Sequence, residues 1–572
     1  MTEASCQAVE TAAQQGAARV NQSDSQRTGG HVVVESLEAL GARAAFGIPG
    51  THTLSIWERL RTSSLRSLVL RTELSAGFAA EGYARVSGQP APLLLTTGPG
   101  ALMSLAPLME AAAAHTPVVA IASQIPSSLV GRRRGYLHEL PDQLASFTPI
   151  VKWATRAQSL NVLPDVLAEA WRRAQTPPSG PVFIEVPVDV LRAPAGNAGT
   201  GGLRGDPPAF SVAATDAVGE AARLLSAAER PVLWAGGGVL RSGAWDELSA
   251  LAERLQAPVA TTYMGKGAFP DDHPLAVGSS CDEPAFRRLL TDADVVLCIG
   301  TELGAETTGH WALQFSGRLI QIDAAPERIG LNYPALGLVG DARRTLEALV
   351  ECVTPRNGNG AAQQVVAELR REIEGGLEEN ARALEPELLR TIRNTLPRDA
   401  AQAWDMTTLA YWAAAFSPVL TPRRFLYPLG SGTLGYGWPA ALGAAAALPR
   451  TPVLAVVGDG GFSYGLADLA TARQHELSVA LLLIDDGGYG ILRSHQQRTY
   501  GKTHAVDLPG PDFAALMASY GVPARASQPE SLAQDLQWAL AVDGPASVVL
   551  AADLEIFPAA AGWASAAPAN AG

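Results

Sequence analysis

Apolar residues in this 572-residue chain come in short continuous runs, separated by glycine- and proline-rich turns and by longer stretches of helical period. Runs without alternation are the pattern of strands buried on both faces, as in a parallel sheet covered by helices. Pro452–Val457 and Val479–Ile484 are two such runs, and the segment Leu466–Arg473 between them carries a helical pattern. Ala546–Leu550 predicts a further strand in that part of the chain. Near the start, Ala45–Pro49, Leu93–Thr96, Val118–Ala122 and Val182–Val186 predict strands. The middle of the chain offers Val232–Ala235, Val259–Thr261, Val295–Ile299 and Leu319–Ile322. Strands alternating with helices predict an α/β protein built of three doubly wound parallel-sheet domains.

Two breaks in composition divide the chain. Residues 193–208 have the Gly/Pro density of a linker, and 355–394 combine a polar break with a charged helical stretch. The expected organisation is a flexible extension over 1–29, domains over 30–192, 209–354 and 395–557, and a flexible alanine-rich tail over 558–572. The first and last domains look alike in layout, as a duplication would leave them.

Composition narrows the function classes. Hydrophobic residues make up 47% and charged residues 17% of the chain, a balance that supports a sizeable core. A net charge of -13, with no basic stripe, argues against nucleic-acid binding. Four cysteines without CxxC spacing indicate neither a disulfide framework nor a zinc site. The polar N-terminus lacks the apolar core of a signal peptide, and the apolar stretch 440–448 is too short to span a bilayer. These features predict a cytoplasmic enzyme.

The candidate chemistry lies after two of the predicted strands. Gly458-Asp459-Gly460-Gly461 follows the first, and Asp485-Asp486-Gly487-Gly488-Tyr489-Gly490 follows the second. In an open parallel sheet, turns at the carboxyl ends of strands are where ligands bind. Glycines let the backbone approach a phosphate, and carboxylates supply hard oxygens to Mg²⁺.

This pair of turns resembles the metal motif of the thiamine diphosphate enzymes, a GDG followed at similar spacing by Asn-Asn. The resemblance implies a Mg²⁺ site at Asp459, Asp486 and Gly488, with Gly460 and Gly461 against the diphosphate. Asp485-Asp486 departs from the usual Asn-Asn. A carboxylate still ligates Mg²⁺, but its extra charge beside a diphosphate costs affinity unless nearby donors compensate.

Thr72–Arg85 predicts a helix with small residues on one face and Glu73 at its start, where the positive end of the helix dipole attracts a carboxylate. By itself Glu73 reads as a helix-start glutamate of the common kind. The stretch is similar, position for position, to the family's glutamate motif, and Thr97–Gly100 resembles the loop that follows it. In that family the glutamate pairs with N1′ of the cofactor's aminopyrimidine and prepares the nucleophilic C2 of the thiazolium. The glutamate (pyrimidine) domain of one subunit faces the diphosphate domain of its neighbour, so the resemblance implies a homodimer at least, usually doubled to a homotetramer.

Pro428–Gly437 resembles the segment that holds the cofactor bent, with Leu434 between its rings and the Gly432 carbonyl accepting from the 4′-amino group. Thr407 and Thr408 fall where relatives place hydroxyls on the diphosphate, although Thr pairs also cap helices. Among the histidines, His52, beside Thr51, lies on the loop after the first strand and resembles that of benzaldehyde lyase. His138 stands where acetolactate synthases carry an active-site glutamine, in a segment that also looks like that of 5-guanidino-2-oxopentanoate decarboxylase. His495, after Ile491, falls at a substrate-pocket position. Each of these histidines is open to a structural role on its residues alone. Gly236-Gly237-Gly238 in the middle domain is compatible with FAD, as in acetolactate synthases, though most such domains carry no nucleotide.

The resemblance thus implies a Mg²⁺/thiamine diphosphate lyase that decarboxylates a 2-oxo acid, with carboligation possible and His52, His138 and Glu73 as the catalytic candidates. An acetolactate synthase-like carboligase and a non-catalytic cofactor-binding homologue are the alternatives.

Overall fold

A computed structural model describes residues 27–196, 198–206, 210–379 and 384–557. The expected N-terminal extension and the tail, together with Cys6, lie almost wholly outside these residues. The first helix among the described residues, Gly29–Ala39, begins one residue earlier than the domain boundary expected from sequence.

The first unit contains β1 (Ala44–Gly47), β2 (Arg66–Val69), β3 (Ala91–Leu95), β4 (Val118–Gln124), β5 (Trp153–Arg156) and β6 (Val182–Pro187). The second holds β7 (Pro231–Ala235), β8 (Val259–Thr261), β9 (Ala276–Gly278), β10 (Val295–Ile299), β11 (Arg318–Asp323) and β12 (Leu336–Val339). The third holds β13 (Ala401–Trp404), β14 (Phe425–Leu426), β15 (Val453–Gly458), β16 (Ala480–Asp485), β17 (Ala524–Ser527) and β18 (Ala546–Ala551).

Each set forms a six-stranded sheet, with the orders β2-β1-β3-β4-β6-β5, β12-β11-β10-β7-β8-β9 and β14-β13-β15-β16-β18-β17. All named strand pairs are parallel. The first and third sheets share one strand order, which matches the likeness in layout seen in the sequence. The middle sheet instead reverses direction between β10 and β7, the doubly wound order of dinucleotide-binding folds. Helices cover the sheets, and central strands such as β4, β10 and β16 are apolar and buried because both their faces are covered. No helix among the described residues is long and apolar enough to cross a membrane.

The first and third units share one apolar cluster, running through Phe78 and Ala79 on one side and Trp438 and Ala440 on the other. Its seam is the contact between the helices Glu73–Ser87 and Gly437–Ala447. Here backbone meets backbone: a Cβ on Gly82 would fall 2.3 Å from the Ala440 oxygen, and one on Gly443 would fall 1.9 Å from the Ala79 oxygen. Small residues on one helix face, read from the sequence as a close-packing surface, meet small residues on the other.

A second tie joins the units at the exposed edge of the first sheet. The Val69 amide donates to His475 Nε2 at 3.0 Å, and the Val69 carbonyl accepts from Thr471 Oγ1 at 3.1 Å. Arg66 Nη2 donates to the His475 carbonyl at 2.8 Å. These bonds use backbone groups that an edge strand otherwise leaves open.

Candidate active site

Directly after strand β13 comes Asp405, whose carboxylate is buried and organises the surrounding turns. Its Oδ1 accepts from the Met406 amide at 2.8 Å and the Gly435 amide at 3.1 Å, and its Oδ2 accepts from the Gly437 amide at 2.9 Å. Burial pushes this carboxyl up to about 6 in pKa, against the opposing pull of those amides. Asp405 therefore pins the segment carrying Gly432 and Leu434 to the start of the helix Thr408–Phe416. Thr407 is the residue before that helix, and its side chain makes no capping bond, so its hydroxyl is not spent on the helix end.

The turns after β15 and β16 face the same space. Asp405, Thr407, Thr408, Gly432, Leu434, Asp459, Gly460, Gly461, Asp486, Gly488 and Ile491 line one cavity of about 260 Å³. Asp459 Oδ1 and Asp486 Oδ1 are both buried and have no hydrogen-bond partner. Two buried carboxylate oxygens without donors are costly unless a cation meets them. Burial and then the Asp459 charge push the Asp486 carboxyl up to about 7, and burial raises Asp459 as well. The Gly488 carbonyl faces this turn, 3.3 Å from where a Cβ on Gly460 would sit. Asp459, Asp486 and the Gly488 carbonyl could thus hold a hard divalent cation. Among the described residues no group of three or more His, Cys, Asp or Glu side chains is arranged to hold a metal, so such a site depends on backbone and ligand oxygens.

Arg493 lies beside the Asp485-Asp486 turn and only partly offsets its charge. Its Nη1 donates to the Asp486 carbonyl at 3.1 Å and its Nη2 to the Gly487 carbonyl at 3.3 Å, while Nε pairs with Asp507 at 2.9 Å. The guanidinium pulls the Asp486 carboxyl down, opposing burial. Sequence reasoning missed Arg493, whose contacts at this turn are to backbone carbonyls. His495, expected at a substrate-pocket position, lies on the same helix, Gly490–Tyr500, and does not line the cavity, whereas Ile491 does.

The other candidates gather in the first unit. Glu73 starts the helix Glu73–Ser87 after the cap Thr72, whose hydroxyl accepts from the Ser75 amide at 3.1 Å. The Glu73 carboxylate lies over the loop after β3: a Cβ on Gly100 would fall 2.7 Å from Glu73 Oε1. His52 is buried in the turn before the helix Leu54–Leu60, and its Nδ1 meets Thr97 Oγ1 at 2.7 Å. Thr97 Oγ1 in turn meets Ser123 Oγ at 2.8 Å. His138 Nδ1 reaches the Thr97 carbonyl at 3.1 Å, and the two imidazole centroids are 5.5 Å apart. Burial, followed by the charges of His138 and Arg192, holds the His52 imidazole below the ordinary histidine range. Thr51 is exposed beside it, its carbonyl reached by Arg192 Nη2 at 3.4 Å. Glu139 steadies the His138 loop by accepting from the Gly135 amide at 2.7 Å and the Tyr136 amide at 3.0 Å.

None of these first-unit residues lines the cavity formed by the third unit. One chain therefore presents two separate sets: an acid with two histidines, and a glycine-rich cradle with two bare carboxylate oxygens. In the middle unit, two glycines of the triplet have a packing reason. A Cβ on Gly236 would fall 2.3 Å from the Gly300 oxygen, and one on Gly238 would fall 2.5 Å from the Gly300 Cα.

The chain matches the models of the thiamine pyrophosphate enzyme N-terminal TPP binding domain over 27–146, the central domain over 218–349 and the C-terminal TPP binding domain over 405–550. It is 38% identical to a probable 2-ketoarginine decarboxylase of Pseudomonas aeruginosa, over 88% of this chain and 90% of that protein. It is 32% identical to a probable acetolactate synthase large subunit of Methanocaldococcus jannaschii, over 90% of each chain. An acetolactate synthase of Mycobacterium bovis is also 32% identical, over 94% of this chain and 91% of that one. The protein belongs to the thiamine pyrophosphate enzyme family, and it is an enzyme with thiamine diphosphate-binding domains.

Proposed function

We propose that this enzyme is a Mg²⁺- and thiamine diphosphate-dependent decarboxylase of a 2-oxo acid of the 2-ketoarginine kind, able also to ligate the product to a second carbonyl. The observation that carries the reading is the pair of buried, unpartnered oxygens on Asp459 and Asp486, beside the cradle of Gly432 and Leu434. The substrate class rests on the 38% identity with the Pseudomonas aeruginosa protein across nearly the whole chain.

In this reading residues 30–192 form the pyrimidine domain, 209–354 the middle domain and 395–557 the diphosphate domain. Asp459, Asp486 and the Gly488 carbonyl hold Mg²⁺, while Thr407, Thr408, Gly460 and Gly461 bind the diphosphate. Leu434 and the Gly432 carbonyl would hold the rings of the cofactor, the first by apolar contact and the second as a hydrogen-bond acceptor. Bound there, thiamine diphosphate supplies a nucleophilic carbon for the 2-oxo carbon and a sink for the electron pair released with CO₂. Glu73 carries the proton at N1′ of the aminopyrimidine. His52 and His138, joined through Thr97, donate a proton to the carbon left after CO₂ departs. Since Glu73 and both histidines lie outside the cavity of their own chain, they serve the cradle of a second copy. The unit of activity is then a dimer, doubled to a tetramer.

The acetolactate synthases among the relatives support a second reading, carboligation as the main activity. The deciding experiment incubates the holoenzyme with a panel of 2-oxo acids, including 5-guanidino-2-oxopentanoate and pyruvate, and measures CO₂, aldehyde and ligated products. CO₂ and aldehyde from the guanidino acid, dependent on both cofactors, are expected. Acetolactate from pyruvate, with the guanidino acid untouched, would overturn the decarboxylase reading.

A further inference from the structure

The cradle segment is gripped from the first unit of the same chain. Glu110, on the helix Leu105–Ala113, is fully buried, and its Oε2 accepts from both the amide and the hydroxyl of Ser431, each at 2.7 Å. Its Oε1 accepts from Arg85 Nη2 at 3.2 Å. Arg85 Nη1 also donates to the Tyr427 carbonyl at 3.0 Å, and its Nε donates to Glu81 Oε1 at 2.6 Å. The other Glu81 oxygen takes the Tyr436 hydroxyl at 2.7 Å. Tyr427, Ser431 and Tyr436 bracket Gly432 and Leu434, so this buried network holds the cradle at three points.

An apolar contact would pack these surfaces without the desolvation cost of two carboxylates and a guanidinium. What fully satisfied ionic groups add is a single geometry. The need for one is local. Gly432 adopts a left-handed backbone, φ +64, and glycine torsions are soft. The direction of its carbonyl therefore depends on what fixes the preceding residue, and that residue is Ser431. Gly430 completes the arrangement by lying flat on the same helix, since a Cβ there would fall 2.6 Å from the Ala113 Cβ.

We propose that Glu110 is a positioning residue of the active site: by fixing Ser431 it aims the Gly432 carbonyl at the cofactor's 4′-amino group. The proposal rests on the thiamine diphosphate reading above and adds a residue to it. Glu110 touches neither substrate nor metal, so its removal should impair activation of the cofactor and leave diphosphate anchoring intact.

The test uses full-length wild type, Glu110→Ala, Glu110→Gln and Ser431→Ala. It measures C2–H deuterium exchange of bound thiamine diphosphate and, separately, the affinity for inorganic diphosphate with Mg²⁺. Glu110→Ala should slow exchange about tenfold to a hundredfold, the scale of a misplaced catalytic contact. Its affinity for Mg²⁺-diphosphate should stay within about threefold of wild type. Glu110→Gln keeps an acceptor for the Ser431 amide and should recover most of the exchange rate. If Glu110→Ala does not fold, Ser431→Ala decides, because it removes one of the two bonds and should slow exchange at least about threefold. Exchange at the wild-type rate in the deciding variant, or equal losses of exchange and diphosphate affinity, overturns the proposal. A wild type that binds no thiamine diphosphate overturns the underlying reading instead.

Discussion

His52 and His138 are bound to the same residue, His52 through the Thr97 hydroxyl at 2.7 Å and His138 through the Thr97 carbonyl at 3.1 Å. Far apart in sequence, they form one unit whose position depends on the loop after β3. Thr97 thus fixes both rings to the segment after β3, over which the Glu73 carboxylate also lies.

If this pair handles the proton after CO₂ leaves, His52→Ala and His138→Ala should each slow turnover by roughly 10²–10⁴-fold, the usual range for acid–base catalysis. The freed carbon should then divert to ligated products, while C2–H exchange, which depends on Glu73, persists. Steady-state kinetics with product analysis checks this, and losses below about threefold at both positions would return the histidines to a packing role.

Glu73→Gln should leave thiamine diphosphate bound, because the anchoring groups lie on the other unit. It should nearly abolish C2–H deuterium exchange, since an amide cannot carry the proton at N1′. Exchange at the wild-type rate would contradict the role given to Glu73.

Asp459→Ala should lose cofactor affinity by removing one of the two buried, unpartnered oxygens proposed to meet Mg²⁺. Asp486→Asn should be tolerated or bind more tightly, because it removes a negative charge beside the diphosphate and keeps an oxygen ligand. Titration calorimetry with Mg²⁺ and thiamine diphosphate distinguishes the two variants. Unchanged affinity in Asp459→Ala would be incompatible with a metal there.

His475 predicts a pH dependence of stability. Its Nε2 must be unprotonated to accept the Val69 amide, and burial, then Arg66 and Arg71, hold its pKa below the ordinary value of 6.5. Below that value the unfolded chain takes up a proton that the folded protein resists. The stabilisation is therefore complete above the ordinary histidine range and declines as the pH falls through it. The slope is at most about 1.4 kcal/mol per pH unit for one proton. Denaturant midpoints at neutral and mildly acidic pH should differ more for wild type than for His475→Gln, whose amide oxygen still accepts. Equal pH dependence in both proteins would rule His475 out as the source.

What the sequence revealed and what it hid follow from burial. The central strands β4, β10, β15 and β16 read directly, because both their faces are covered and their residues are continuously apolar. The edge strands β2, β5, β9, β12, β14 and β17 went unread, and so did the internal strand β13, whose buried run Ala401–Trp404 is broken by Gln402. Arg66–Val69 and Ala524–Ser527 show why: with one side open they mix charge and small polar groups and leave no apolar run. In the site, Glu73, Asp459 and Asp486 stand in motifs whose glycines announce them. Asp405, Glu110 and Arg493 do not, because their roles arise from partners distant in the chain or from backbone carbonyls that no residue type encodes. Glu110 in particular reads as one polar residue in an otherwise apolar helix.

The seam between Gly82 and Gly443 has a consequence for redesign. The atoms that an added methyl would meet there are main-chain oxygens, which cannot rotate away as a side chain would. The two helices consequently form a fixed datum, with Glu73 at one end of the first and the Gly432 cradle leading into the second. Redesign of the chain would do best to leave this joint untouched and to vary exposed positions such as Leu137, where the surface has room to change.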